Sequence, residues 1–269
     1  MKNDHMTIMS EPPSLSTAEL LTRFAKHRGK LERWFQQRLT KDEIAKRYIG
    51  SPTYRRLRTD KRTDKRKVIS TVLVEWARTT LEGPLFMKVL NLKKQPEYDE
   101  WLKECLCSSL CDYCKQHGVR HATGPLSESY GPKTKIANLF MKHAVCWDNL
   151  AENDRTRLIP LLHVPFDRDS LIGLKDCAKQ SSWHGSIGDI NKPGMEFVKT
   201  ARQYDALQNL ARGITDAAEP KAPPIYLDVL FWNVPRLYKL AEKLIGEAGG
   251  IEEAKDLMND IAISDGKPT

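Results

Sequence analysis

The sequence predicts an all-α protein. Three observations lead there. Apolar residues recur at helical spacing along most of the chain. Helix start and stop signals bracket those runs, as at Ser16 with Glu19 and at Gly118. No segment shows the sustained period-two alternation of a half-buried strand.

In chain order, residues 1–13 read as a loose N-terminal tail ending at Pro12-Pro13, and residues 263–269 as a C-terminal tail. Residues 14–262 between them read as one helical domain, compact or in two lobes with a cleft between. Ser16 and Glu19 fit a capping box, followed by Leu20, Leu21, Phe24, Leu31 and Trp34 along one helix. A short helix covers 41–50, and the apolar run "VISTVLVEWARTTL" (68–81) predicts a buried one. Residues 97–118 read as a helix ended by Gly118. Further helices are expected near 153–162, after Asp167, over 195–214 and from Ile225 onward, with a glycine-rich loop over 184–194.

Of the 269 residues, 43 are Lys or Arg and 35 are Asp or Glu, a net charge of +8. A basic excess favours a polyanionic partner, because each cation that meets a phosphate releases counterions. The densest basic run is "RRLRTDKRTDKRK" (55–67), a solvated loop or a phosphate-contacting arm through Arg55, Arg56 and Arg58. No apolar run has the ~18 residues that span a bilayer, and the N-terminus has no signal-peptide h-region. The expectation is a cytoplasmic protein with free thiols.

Cys105, Cys107, Cys111 and Cys114 invite a metal-site reading. At ~100° per residue, the last three fall within an arc of roughly 60° and Cys105 points away. A four-cysteine cage on one continuous helix is hard to close around zinc, so core packing is the favoured expectation over a metal site, with no cofactor required.

The stretch "YGPKTKIANLFMKHAV" (130–145) sets Lys133, Lys135 and Lys142 into what otherwise reads as a buried helix. With a turn at Gly131-Pro132 and a helix from about Thr134, Lys135, Asn138 and Lys142 share one face. Lys135 then sits in a first helical turn, where the helix dipole disfavours its charge and a neutral amine is useful as a nucleophile. Thirty-two residues later, "HVPFDRDSL" places Asp167 ahead of a helical run. It reads as an N-cap, and as a carboxylate held ionised by amide donors.

A glycine turn, then Thr134-Lys135-Ile136-Ala137, then Val164-Pro165-Phe166-Asp167 before a helix, resembles the helix-hairpin-helix DNA glycosylase superfamily. That superfamily pairs a hairpin and T-K-x-A with a downstream V-P-x-D. The long gap between the two motifs looks most like the archaeal 8-oxoguanine glycosylase branch. "YLDVLFW" holds Asp228 and Trp232 four apart, similar to the D-x-x-x-W with which that branch contacts its flipped base. The motifs span about 125–235.

The resemblance implies a DNA N-glycosylase, with Lys135 as the amine attacking C1′ and Asp167 as the essential carboxylate. Asp228, Trp232 and Trp76 are then candidates for holding the base, with Trp183 a further stacking ring. Gly131, Lys133 and Lys142 join Arg55, Arg56 and Arg58 as candidate DNA contacts. Duplex DNA with a modified base is the expected partner of a monomer: an oxidised purine, or a bulky modified base of phage DNA. The chain departs from the family pattern in lacking the second hairpin glycine and an early base-reading glutamine. The competing readings are a DNA-binding module without catalysis, in which Lys135 only meets phosphate, and a helical RNA-binding protein.

Overall fold

The structure, a computed structural model, describes residues 16–48, 56–59 and 65–231. Among these the architecture is mostly helical. Ser16 Oγ accepts from the Glu19 amide while the Glu19 carboxylate accepts from Ser16 N, so the capping box starts helix α1 (Thr17–Phe35). Leu20, Phe24, Leu31 and Phe35 form its buried stripe. Thr40 and Glu43 repeat the device for α2 (Lys41–Arg47). The apolar run becomes α3 (Lys65–Glu82), followed by α4 (Pro84–Val89).

The helix expected over 97–118 is a continuous rod with a change of winding inside it. α5 (Gln95–Glu100) passes into a π-helical stretch (Trp101–Leu106) and then α6 (Cys107–Gln116). Gly118, at φ 67°, ends it in the left-handed conformation that glycine adopts without cost. Cys107, Cys111 and Cys114 are buried and Cys105 is half-buried, as helical phase requires. Burial pushes the Cys107 and Cys114 thiols up to about 12 and Cys111 to about 11, so they pack as small neutral groups.

Among the described residues, two strands depart from the all-α expectation. β1 (Leu57–Thr59) pairs antiparallel with β2 (Val119–His121). Leu57 and Thr59 point inward, and Arg56, Arg58 and Arg120 are exposed. Three residues a strand are too few to show a period-two pattern, which is why the ribbon escaped the sequence.

The second departure concerns Gly131. No tight turn stands there: α7 (Tyr130–Ala144) already begins at Tyr130, and Pro132 sits in its first turn, where a missing N–H costs nothing. The glycine serves a close approach instead. A Cβ on Gly131 would lie 1.8 Å from the Met195 carbonyl oxygen. Its amide donates to Val198 O at 2.9 Å and so presents no donor to a phosphate.

After α7 come α8 (Glu152–Leu158), a 3-10 turn (Ile159–Leu161) and an extended stretch leading to α9 (Arg168–Gln180). Then follow α10 (His184–Ile187), a second 3-10 turn (Met195–Phe197) and α11 (Ala201–Asp216). A last helical run opens at Tyr226 and reaches Phe231, the end of the described residues. It lies directly on α9, because Gly173 has no Cβ to meet the Phe231 ring, which would be 2.2 Å away.

α7 runs through the middle, touching α2, α6 and the 195–197 turn. The rings of Tyr48, Trp76 and Phe140 interlock at centroid distances of 5.0 to 6.1 Å. Trp76 is 1% exposed, with its indole N–H on Ser109 Oγ. That corrects its expected role: it is a core residue, walled off from any extruded base.

Candidate active site

Lys135 and Lys142 of α7 lie on neither a solvated face nor a phosphate-facing one. With Asn138 between them they are buried, as are Ile136, Phe140 and Ala144 on the other side. A buried ammonium needs an acid beside it, and each of these two lysines has one. Lys135 Nζ lies 3.3 Å from Asp167 Oδ2, with the two side chains 6% and 15% exposed. Lys142 Nζ lies 2.6 Å from Asp228 Oδ2. So the structure brings Lys135 and Asp167 together from 32 positions apart.

Asp167 is where the capping logic placed it. It is the N-cap of α9, and its Oδ1 accepts from the amides of Asp169 at 3.0 Å and Ser170 at 3.1 Å. Ser170 Oγ in turn accepts from Asp167 N at 2.8 Å. That leaves Oδ2 for Lys135. The charged acid thus has two amides on one oxygen and an ammonium on the other.

Asp228 comes from the helical run that Tyr226 opens. It is 3% exposed. Burial raises its carboxyl above the usual range; Lys142 and Lys135 work against that and the Asp167 charge works with it. The two acid–lysine pairs therefore form one electrostatic unit, two cations facing two carboxyls. Over it lies Trp34 from the end of α1, its ring 4.4 Å from Lys142 Nζ. His143, edge-on to the same ring at 5.5 Å, is held neutral at about 3, chiefly by burial and then by Lys142, with Nδ1 donating to Leu139 O.

The remaining candidates divide. Lys142, partner of Asp228 and only 6% exposed, is corrected from a surface DNA contact to part of this unit. Lys133 stays half-buried at the surface, donating to Ser127 O at 2.7 Å beneath the Tyr130 ring. Arg56 is exposed and paired with Glu196 at 3.2 Å, and Arg58 is exposed on the ribbon. Trp183 is 42% exposed. Arg55 and Trp232 lie outside the described residues.

The sequence reading missed a chain of polar groups beside the site. Asn138 Nδ2 donates to the Tyr204 hydroxyl at 2.8 Å. Tyr204 lies 2.7 Å from His163 Nδ1, and His163 Nε2 lies 2.7 Å from Asp99 Oδ1. Arg212 Nη2 sits 2.8 Å from that Nε2 and 3.2 Å from Asp99 Oδ1, so ring and guanidinium share the oxygen. Burial lowers the His163 imidazole, against the pull of the hydrogen bond and charge of Asp99. One faint signal exists: Tyr204, Gln208 and Arg212 recur every four residues on α11, a polar stripe facing inward. Trp34 was also missed, because its helical spacing made it look like core.

No protein-family model, curated protein or solved structure matches the chain.

Proposed function

We propose that this protein is a DNA N-glycosylase that extrudes a modified base from the duplex and cuts its bond to the sugar. The observation that carries this reading is the Lys135–Asp167 contact: an amine and a hydrogen-bonded carboxylate, both largely desolvated, 3.3 Å apart. A module that only grips phosphate needs the lysine and gains nothing from a carboxylate beside it.

The chemistry follows from those two groups. A base inside the stack hides C1′, so the nucleotide must first rotate out. As the C1′–N bond breaks, its electron pair leaves with the base and positive charge develops on the sugar. The Asp167 carboxylate opposes that charge from a fixed position. Lys135 Nζ, having given a proton to the departing base, forms the new bond to C1′. Opening of the sugar ring then gives a Schiff base, from which β-elimination cuts the strand. Asp228 and Lys142 stand beside the pair as a second carboxyl and ammonium, bonded to each other, and the half-buried Trp34 offers a ring face to the extruded base. The exposed arginines of the β-ribbon suit the DNA backbone. The substrate classes are an oxidised purine and a bulky modified base of phage DNA. The second would make the protein an antiviral factor.

Borohydride reduction tests this directly. Duplexes carrying either class of base should yield a covalent protein–DNA adduct, and Lys135→Gln should abolish it while DNA binding persists. Asp167→Asn should slow excision by orders of magnitude, each ~1.36 kcal/mol of lost stabilisation being tenfold. Normal DNA affinity with no excision of any modified base would make the protein a binding module instead. Excision by Lys135→Gln at the full rate would assign the attack to water.

A further inference from the structure

The two halves of the candidate site come from separate segments, and a hydrogen-bonded bridge ties those segments together. Asn138 stands one turn after Lys135 on the same face of α7. His163 stands four residues before Asp167, at the start of the extended stretch that ends in it. Tyr204 joins them, 2.8 Å from the Asn138 amide and 2.7 Å from the His163 ring. Its own helix also grips the next residue along. Gln208 Oε1 accepts from Val164 N at 3.1 Å and Gln208 Nε2 donates to Val164 O at 2.9 Å. Asp99 and Arg212 hold the far side of the His163 ring.

We propose that Asn138, Tyr204 and His163 are positioning residues whose bridge sets the separation between Lys135 and Asp167. The alternative is that these groups only stabilise the fold. The bonding pattern argues otherwise. Tyr204 is 1% exposed amid the rings of Tyr130, His163 and Phe166, at centroid distances of 5.5 to 6.0 Å. Apolar side chains would fill that space without any polar group to satisfy. Instead the chain buries an amide, a phenol and an imidazole, and Asn138 Oδ1 has no hydrogen-bond partner among the described residues. What the bridge supplies is geometry. Bonds at both ends are directional, so neither α7 nor the 163–167 stretch can slide without breaking one.

The consequence for rate rests on the glycosylase reading; the consequence for geometry does not. Tyr204→Phe keeps the ring and its packing and removes only the hydroxyl, while Asn138→Ala cuts the bridge at its α7 end. In crystal structures of both variants the Lys135 Nζ to Asp167 Oδ2 distance should open beyond about 4 Å, the limit of a direct ion pair. Under single-turnover conditions excision should fall by up to about 10²-fold, the cost of an ångström of misplacement, with the DNA dissociation constant within twofold. A shortened or unchanged distance in both variants would overturn the proposal; a normal excision rate with the distance opened would uphold the bridge as the spacer and overturn its link to rate. Equal losses of melting temperature and DNA affinity with the pair still closed would assign the bridge to stability alone. If the native protein excises nothing, the functional reading falls and the distances still decide the bridge.

Discussion

Replacing Lys142 with methionine would leave Asp228 buried without its cation. The side chains of that pair are 8% and 4% exposed and 2.6 Å apart, so water does not take the place of the ammonium. Breaking a buried pair at one partner costs about 3–5 kcal/mol, mostly the penalty of the stranded charge. In a domain of this size each kcal/mol lowers the melting temperature by about 2–4 °C, so Lys142→Met should melt roughly 6–20 °C early at neutral pH. Methionine keeps a packing partner for the Trp34 ring through its sulfur, which isolates the charge as the cause. The sign of the pH dependence follows. Asp228 already has a raised carboxyl, through burial first, and Lys142 opposes the rise. Without Lys142 it rises further. A folded acid with a raised pKa is penalised above its unfolded value of about 4, increasingly up to the folded value, and not below. The deficit of Lys142→Met should therefore shrink as pH falls toward 4. Adding Asp228→Leu should bring stability back to within about 1 kcal/mol of native. Thermal and urea melts at pH 5 and pH 8 measure all three. A loss below about 1 kcal/mol at pH 8 would mean that the pair is solvated, as exposed pairs are, and that two cations and two carboxyls do not form a buried unit.

Gly131→Ala should be strongly destabilising, because the new Cβ would lie 1.8 Å from a carbonyl oxygen that belongs to backbone and cannot swing aside. Urea midpoints compared with Gly185→Ala, where nothing lies within 4 Å, separate that clash from loss of glycine freedom. Asp99, although burial pushes it up, is held at about 2 by His163, Gln95 and Arg212, below its unfolded value. Its stabilising contribution is thus complete above about pH 4 and lost as pH falls toward 2, so Asp99→Asn should flatten the acid limb of a stability profile. If the ribbon arginines meet phosphates, replacing Arg56, Arg58 and Arg120 by alanine should reduce the slope of log K against log salt by about 0.9 for each phosphate left without its cation. An unchanged slope would leave the ribbon a solvated surface.

The helices were legible in the sequence for local reasons, whereas the pairing of Lys135 with Asp167 came only through the resemblance to the glycosylase motifs. Capping boxes, the terminating Gly118 and the apolar spacing of α1 and α3 are all written within a few residues of one another. Asp167 announced itself as an N-cap in the same way. What escaped depends on distant neighbours. Gly131 reads as a turn residue until the Met195 carbonyl is seen lying on it. Trp76 was a candidate stacking ring and Trp34 looked like core by its helical spacing; tertiary packing put the first in the core and the second over Lys142. The Asn138–Tyr204–His163 bridge joins residues up to 66 positions apart, and no periodicity encodes such a meeting.

The division of labour between the two oxygens of Asp167 has a consequence for χ2. Oδ1 is fixed by the Asp169 and Ser170 amides, so the carboxylate plane cannot rotate toward or away from Lys135 without uncapping α9. The torsion that would let the acid follow a moving charge is frozen by the helix it begins. Such a carboxylate does not reorganise when a cation appears in front of it; its field is already aimed. Glutamate, longer by one methylene, would keep the charge and lose the aim.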